Sequence, residues 1–186
     1  MAIMGRLLKN RRAGEEQVAW HRPNLNGPDT LELRSEAFAD GATMPTTQAG
    51  RRVGGRNLSP ALAWDPAPAG TAQLLFVMED PDVPMSTPAV HTLALIDPKL
   101  TALDAGALDA KAPADGVRIL RSTILSGYHG PEPIKGHGPH RYVFQLFALE
   151  TALDGAALAK ARPREVLASV GGPVLARGRL DGFYER

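Results

Sequence analysis

The spacing of hydrophobic and polar residues predicts a chain built mainly of short β-strands. RYVFQLFALE, residues 141–150, is the strongest signal, because apolar side chains occupy both faces of the predicted strand. TAQLLFVMED and VHTLALID also have the pattern of buried strands, and GVRILRSTIL is strand-like. From Leu31, LELRSEAF alternates as a half-buried strand should. Loops rich in glycine and proline separate these segments.

Helical patterning is short and comes late in the chain. Within DGAALAKARPREVLASVGG, Arg162 and Pro163 suit a break and a new first turn, while Gly171 and Gly172 suit a stop. PKLTALDAGALDAKAPADG could hold one or two helical turns, and PVLARGRLDGFYER could supply an edge strand. Several short strands with only short, late helices predict a mainly β domain, a β-sandwich with helical additions.

Residues 1–30 have the composition of an N-terminal appendage to a domain that spans residues 31–186. The appendage is polar and shows no sustained period, so order there is expected to need a partner surface. Its basic beginning, MAIMGRLLKNRRAG, could form a short amphipathic segment that touches acidic lipid, although a solvated tail is the commoner outcome.

Composition excludes several functions. The 186 residues contain no cysteine, which rules out disulfides, thiolate catalysis and sulfur-ligated zinc. A net charge of +1 offers no case for nucleic acid binding. No segment has the apolar run that a transmembrane helix or a secretory signal needs, so a soluble, cytoplasmic protein is expected.

Candidate chemistry is concentrated at the ends of the predicted strands. Asp80 and Asp82 end one buried strand, and His91 opens the next. His140 and Tyr142 are two positions apart, so on a strand they point to the same face. If the strands are neighbours, these side chains could converge on one pocket. A carboxylate favours a charged imidazolium beside it, which with tyrosine would donate hydrogen bonds to a small anion.

The same residue types also have plain structural interpretations. Aspartates that flank a proline are common in turns, and a histidine at the start of a strand is often a hydrogen-bonded structural residue. His137, between two glycines, is expected to be exposed in a loop. Arg141 should point away from His140 and pair with an acid, and Trp64 and Tyr128 are expected to pack in the core.

Metal-dependent and serine-based catalysis are both disfavoured. Aspartate and histidine are legitimate zinc or iron ligands, but their spacing matches no compact motif such as HExxH. There is no GxSxG elbow and no GxGxxG or phosphate-loop pattern. No metal and no cofactor are therefore expected.

Several of these motifs together resemble the phosphatidylethanolamine-binding protein family, in its bacterial kinase-inhibitor-like branch. GGRNLSPALAW, the DPDVP loop, His91 and GPEPIKGHGPHRYVF occur in the family's order and at family-like spacing, over approximately residues 31–186. The resemblance implies a sandwich of antiparallel sheets with a small anion-binding pocket near one end. By matching motif positions, the candidate ligand-binding residues are Asp80, Asp82, Pro84, His91, Pro133, His140 and Tyr142.

Three positions depart from the family's pattern. Ile134 stands where a second proline is usual, Val83 replaces a smaller alanine, and Thr92 follows His91 where the family often has a tryptophan. These changes keep the polar residues but alter the predicted lip of the pocket and its headgroup preference.

The resemblance implies a non-enzymatic binder of small anions, phosphate or phospholipid headgroups such as phosphorylethanolamine, which would regulate a phosphorylated partner such as a kinase. Two alternatives remain open: a hydrolase that uses the Asp and His cluster, and a kinase or protease inhibitor that acts through its surface. Homodimer formation is also left open.

Overall fold

The described residues form eight β-strands and two short α-helices. The computed structural model describes residues 2–124 and 126–186. In chain order the elements are α1 (Ala2–Leu8), β1 (Ala42–Thr43), β2 (Leu62–Ala63), β3 (Gln73–Asp80), β4 (Ala89–Ile96), β5 (Ala102–Leu103), β6 (Val117–Ile119), β7 (His140–Leu149), α2 (Pro163–Ala168) and β8 (Val174–Tyr184). Single 3₁₀ turns lie between α1 and β2, at Glu15–Gln17, Ala19–His21, Pro23–Leu25, Thr46–Gln48 and Arg51–Val53.

Six of the strands form one sheet in the order β1-β8-β7-β3-β4-β6. All of its pairs are antiparallel except β1 with β8, which is parallel. Strands β2 and β5 form a separate two-stranded antiparallel ribbon. The central strands β3, β4 and β7 are buried along almost their whole length, which explains why their sequences are apolar on both faces.

Each face of the large sheet is covered by a different part of the chain. One face packs against Trp64 and the irregular segments around the β2–β5 ribbon. The other packs against α2 and against residues 18–25, which lie before the first strand. Both layers bury apolar side chains completely, so the sheet has a core on each side.

The mainly β prediction is confirmed, but the sheet is mixed and not clearly a sandwich. No second sheet of comparable size lies opposite the six strands in the described residues. LELRSEAF forms only an isolated bridge, between Arg34 and Ala63. The segment crosses β8 instead of pairing along it: the Leu31 amide donates to the Arg177 carbonyl at 3.1 Å, and a Cβ at Gly178 would collide with the Leu31 carbonyl.

The remaining predictions differ in outcome. Helix α2 begins at Pro163 as expected, with the Glu165 carboxylate accepting from the Arg162 amide at 2.8 Å. The predicted helical turns after Asp97 are irregular turns and the short strand β5, because positive φ angles interrupt them at Gly106 and Gly116. The predicted strand GVRILRSTIL is cut to β6, and its last residue, Leu125, lies outside the described part.

The segment predicted as an edge strand, PVLARGRLDGFYER, forms β8, but β8 is not the edge of the sheet, because β1 lies beyond it. Strand β8 pairs with β7 over its whole length and with β1 at only two residues. Within residues 2–124 and 126–186, no helix has the length and apolar character needed to span a bilayer.

Residues 19–25 are ordered against the domain's own sheet. The Ala19 amide donates to Glu79 at 2.6 Å, and the Trp20 amide donates to the side-chain carbonyl of Gln145 at the same distance. Leu25 is completely buried beneath them. The partner surface that the sequence requires for this segment is therefore supplied by the same chain.

Phe144 provides a test of the core. Its ring is fully buried and lies 5.6 Å from the Phe38 ring and 6.2 Å from the Phe76 ring. We expect Phe144→Ala to lower the free energy of unfolding by about 3–5 kcal/mol, because it leaves a cavity. Phe183→Ala, at a partly exposed site on β8, should lower it much less. Urea denaturation measures both, and equal losses would contradict this account of the core.

Candidate functional site

The candidate site lies where β3 ends and β7 and β4 begin. Antiparallel pairing of β3 with both neighbours brings Asp80, at the end of β3, beside His140 and Tyr142 on β7. His91 reaches the same place from β4. All four side chains are at most 4% exposed. The structure thus brings together the four polar residues predicted to meet.

A β-bulge turns the His91 side chain toward the site. Strand register passes from Met78 opposite Thr92 to Glu79 opposite Val90, so His91 is the extra residue. Without the bulge, the alternation set by Ala94 and Ile96 would point His91 to the other face of the sheet. The bulge therefore determines whether this histidine belongs to the site.

Asp80 is the hub of the cluster. Its Oδ2 lies 2.7 Å from His140 Nδ1 and 4.0 Å from His91 Nε2. Its Oδ1 accepts a hydrogen bond from the Asp82 amide at 2.8 Å, which fixes the carboxylate plane. A buried carboxylate needs such donors, since its desolvation is otherwise unfavourable.

The chain of hydrogen bonds continues from His140 to His137. His140 Nε2 lies 2.8 Å from His137 Nδ1, and His137 Nε2 lies 2.8 Å from the Leu8 carbonyl and 3.2 Å from that of Arg11. The prediction that His137 is an exposed loop residue is wrong, because its exposure is 0%. The Pro-Gly loop is folded back, and the N-terminal segment covers it.

These contacts determine how many protons the side chains of Asp80, His140 and His137 share. Carbonyls only accept, so His137 Nε2 carries a proton. One further proton must lie between His137 and His140, and one between His140 and Asp80, whichever atom holds each of them. The Asp80–His140–His137 chain therefore carries one more proton than an ionised aspartate with two neutral imidazoles, and its net charge is zero.

His91 differs from the imidazolium that the sequence suggests. Its Nδ1 lies 2.8 Å from the His129 carbonyl and must donate to it. Burial lowers the pKa of His91 and outweighs the attraction of Asp80, which acts in the opposite direction. His91 is thus neutral with a bare Nε2 that faces the site, ready to take up a proton when an anion approaches.

Tyr142 supplies a buried donor. Its hydroxyl makes no hydrogen bond of standard geometry to any described residue, and the Asp80 carboxylate and the Glu132 backbone lie close enough to act on its pKa. Burial, together with the nearby Asp80 charge, raises the pKa of Tyr142 well above 10.0, so the phenol stays protonated. The ring meets the His91 ring edge-on at 5.2 Å between centroids. A buried donor without such a hydrogen bond is rare in folded proteins and suggests a ligand at this point.

Asp82 has a structural contact on each oxygen. Its Oδ2 accepts from the Arg141 amide at 2.6 Å, and its Oδ1 pairs with Arg12. Of the predicted rim residues, Pro133 is buried and Pro84 is partly exposed. The structure therefore places Asp82 at the edge of the cluster, where it holds the chain around the site.

The positions that depart from the family pattern are spread around the site. The Ile134 carbonyl accepts a hydrogen bond from the His137 amide at 3.0 Å, and the Val83 carbonyl accepts one from the Ala13 amide at 3.0 Å. Thr92 is buried, with its hydroxyl 3.9 Å from Met78 sulfur. Two of the three departures thus lie where the backbone contacts the loop or the N-terminal segment.

Residues 5–14 cover the site, a feature that sequence reasoning missed. Arg12 pairs with Asp82 and donates to the Pro139 carbonyl at 3.2 Å, and the Gly14 amide donates to the Pro81 carbonyl at 3.0 Å. At Gly5 the helix α1 lies directly on the loop backbone, since a Cβ there would collide with the Lys135 carbonyl. These bonds use backbone groups that leave no signature in sequence; only the complementary charges of Arg12 and Asp82 could have indicated them.

The structural interpretations of three other residues are confirmed. Arg141 pairs with Glu15 at 3.2 Å and lies 3.7 Å from Asp181. Trp64 and Tyr128 are buried in the core cluster on the site's side of the sheet.

Comparisons with known proteins agree with the fold and the motifs. A family model described as phosphatidylethanolamine-binding protein matches residues 34–185. The crystal structure of YbcL from E. coli, described as a member of the mammalian PEBP family, has a TM-score of 0.74 and 26% identity, and covers 84% of this chain and 99% of that one. This chain belongs to the phosphatidylethanolamine-binding protein family.

Two curated relatives differ in how much of the chain they share. A UPF0098 protein of Methanothermobacter thermautotrophicus is 34% identical, with 84% of this chain and 99% of the relative aligned. Phomoidride biosynthesis cluster protein B, from a fungal species, is 30% identical, with 98% of this chain and 92% of the relative aligned. The second alignment therefore extends into the covering segment, before the residues that the family model matches.

The neutral state of His91 makes the stability depend on pH. The unfolded residue takes up a proton near 6.5, whereas the folded residue does so only at lower pH. We therefore expect the free energy of unfolding to fall as pH drops below 6.5, by at most about 1.4 kcal/mol per pH unit for each such histidine.

Urea midpoints measured over this pH range test the prediction. His91→Gln should make the dependence shallower without abolishing it, because burial also lowers the pKa of His129. An unchanged slope in His91→Gln would show that His91 is not held neutral.

Proposed function

We propose that this protein binds a small anion, phosphate or a phosphorylated headgroup such as phosphorylethanolamine, at the Asp80–His140 cluster. Family membership supports binding of a small ligand or anion in general. The observation that carries the proposal is the Tyr142 hydroxyl, a buried donor that lies near Asp80 and His91 and makes no hydrogen bond of standard geometry among the described residues.

The chemistry of the cluster suits a negatively charged ligand. The extra proton in the Asp80–His140–His137 chain neutralises the Asp80 charge, so an anion would not meet an unpaired carboxylate. His91 Nε2 becomes a charged donor on taking up a proton, and Tyr142 adds a neutral one. Two donors beside a neutralised carboxylate form a site for tetrahedral oxyanions, and the carboxylate could accept from the ammonium of a zwitterionic headgroup.

The proposal is binding without turnover. Both nitrogens of His140 are engaged, by Asp80 and by His137, so His140 has no free nitrogen with which to activate water. We assign the free Nε2 of His91 to proton uptake on anion binding, and turnover of a phosphoester by the wild-type protein would contradict this assignment. We propose that the bound group belongs to a phosphorylated partner that the protein regulates. A kinase or protease partner, a homodimer and a cytoplasmic location remain predictions from the sequence.

Sulfate keeps its charge over the relevant pH range. Any change in sulfate affinity with pH therefore reports protonation of the protein and not of the ligand. Calorimetry should give saturable binding that weakens as pH rises, since the anion binds together with a proton on His91. Tyr142→Phe should lower the affinity about tenfold or more, the effect of a lost hydrogen bond to a charged group.

The matched control for this experiment is Tyr128→Phe. Tyr128 is also buried, but its hydroxyl donates to the Gln48 carbonyl at 3.1 Å, away from the cluster. The proposal fails if sulfate, phosphate and phosphorylethanolamine all fail to bind, or if both tyrosine variants weaken binding equally.

The covering segment should reduce the apparent affinity. Every residue of the cluster is buried, and we propose that an anion enters when residues 5–14 move away. The observed affinity is then the intrinsic affinity multiplied by the fraction of molecules that are open. Arg12→Ala removes the pair with Asp82 and the bond to Pro139. It should raise the affinity for sulfate about two- to fivefold, as expected for a partly exposed ion pair.

Arg34→Ala is the matched control for Arg12→Ala. Arg34 is another exposed arginine paired with an aspartate, Asp65, at 3.4 Å, on a different part of the surface. It should leave sulfate affinity unchanged. If Arg12→Ala lowered the affinity instead, Arg12 would be part of the anion site and not of its cover.

A further inference from the structure

The outer face of α1 is apolar and open. Ile3, Met4 and Leu7 are 73%, 62% and 81% exposed. Successive residues of an α-helix are about 100° apart, so these three side chains lie within an arc of about 100°. Gly5 faces the opposite way and packs on the loop that carries Lys135. The helix is thus attached by one side and presents apolar side chains on the other.

The surroundings of this face are basic. Residues 1–14 contain Arg6, Lys9, Arg11 and Arg12 and no acidic residue. Lys135 lies on the loop under the helix and is exposed. Among the residues that the structure describes, Arg6, Lys9, Arg11 and Lys135 make no ion pair, and only Arg12 is neutralised, by Asp82. An apolar strip flanked by unpaired positive charge has the pattern of a helix that lies in a membrane interface.

We propose that α1 is a docking surface for an acidic lipid membrane, with Ile3, Met4 and Leu7 entering the interface and Arg6, Lys9, Arg11 and Lys135 contacting lipid phosphates. Charge decides between this partner and a second copy of the chain. Two copies that met through α1 would bring their basic groups together, whereas an acidic bilayer complements them. The surface is small, so binding is reversible and sensitive to salt.

This inference does not depend on the anion pocket. The docking side chains lie outside the Asp80–His140 cluster, so membrane binding and headgroup recognition can be tested separately. Vesicles that contain no phosphatidylethanolamine remove that headgroup from the experiment, and the variants at Ile3, Leu7, Arg6 and Lys9 change no residue of the cluster.

Sedimentation of the full chain with vesicles tests the proposal. The protein should sediment with mixed phosphatidylcholine–phosphatidylglycerol vesicles and not with pure phosphatidylcholine, and high salt should release it. Ile3→Ser combined with Leu7→Ser, and separately Arg6→Glu combined with Lys9→Glu, should each lower the partition coefficient about tenfold or more. Ile124→Ser removes another apolar side chain, 53% exposed and on a different surface, and should have no effect.

Three results would overturn the proposal. The first is equal binding to neutral and acidic vesicles, and the second is binding that survives both double variants. The third is self-association in the absence of lipid, measured by analytical ultracentrifugation, that Ile3→Ser with Leu7→Ser abolishes.

Discussion

Two adjacent carboxylates at the end of β3, Glu79 and Asp80, hold the structure together around the site. They point to opposite faces of the sheet, and both are at most 2% exposed. Burial of a carboxylate is unfavourable unless donors surround it, and these donors come from distant parts of the chain. Glu79 accepts from the Ala19 amide and lies 2.8 Å from Arg164 of α2, while Asp80 contacts His140 on β7. Burial raises the pKa of Glu79, and the Arg164 charge acts in the opposite direction.

Burial also sets the chemistry of the candidate site. Burial keeps His91 neutral and Tyr142 protonated, so both face the cluster without charge. Residues 5–14 contribute on the His137 side, where the carbonyls of Leu8 and Arg11 complete the hydrogen bonds of that histidine. Displacing the segment would remove these acceptors and change the protonation of the hydrogen-bonded side chains. The electrostatics of the site therefore depend on a segment outside the strands that carry it.

The sequence predicts what depends on local alternation and misses what depends on irregular backbone. Strands β3, β4 and β7 are recognisable because both of their faces are apolar, and period two correctly places His140 and Tyr142 together. His91 joins them only through a bulge, which alternation alone does not reveal. The burial of His137 depends on a carbonyl 129 positions earlier in the chain. LELRSEAF alternates like a strand because its leucines face the core, although its backbone crosses β8 instead of pairing.

The bonds that hold residues 5–14 over the site differ in how strongly they depend on ionic strength. Those made by Ala13 and Gly14 join backbone groups, and the Leu8 carbonyl accepts from the buried His137 side chain, so all three vary little with salt. The pair between Arg12 and Asp82 is partly exposed, and ions in solution screen it. Asp80 and His140, in contrast, are too deeply buried to be screened in the same way. Raised ionic strength, or any acidic surface that competes for Arg12, therefore loosens the cover before it disturbs the cluster beneath.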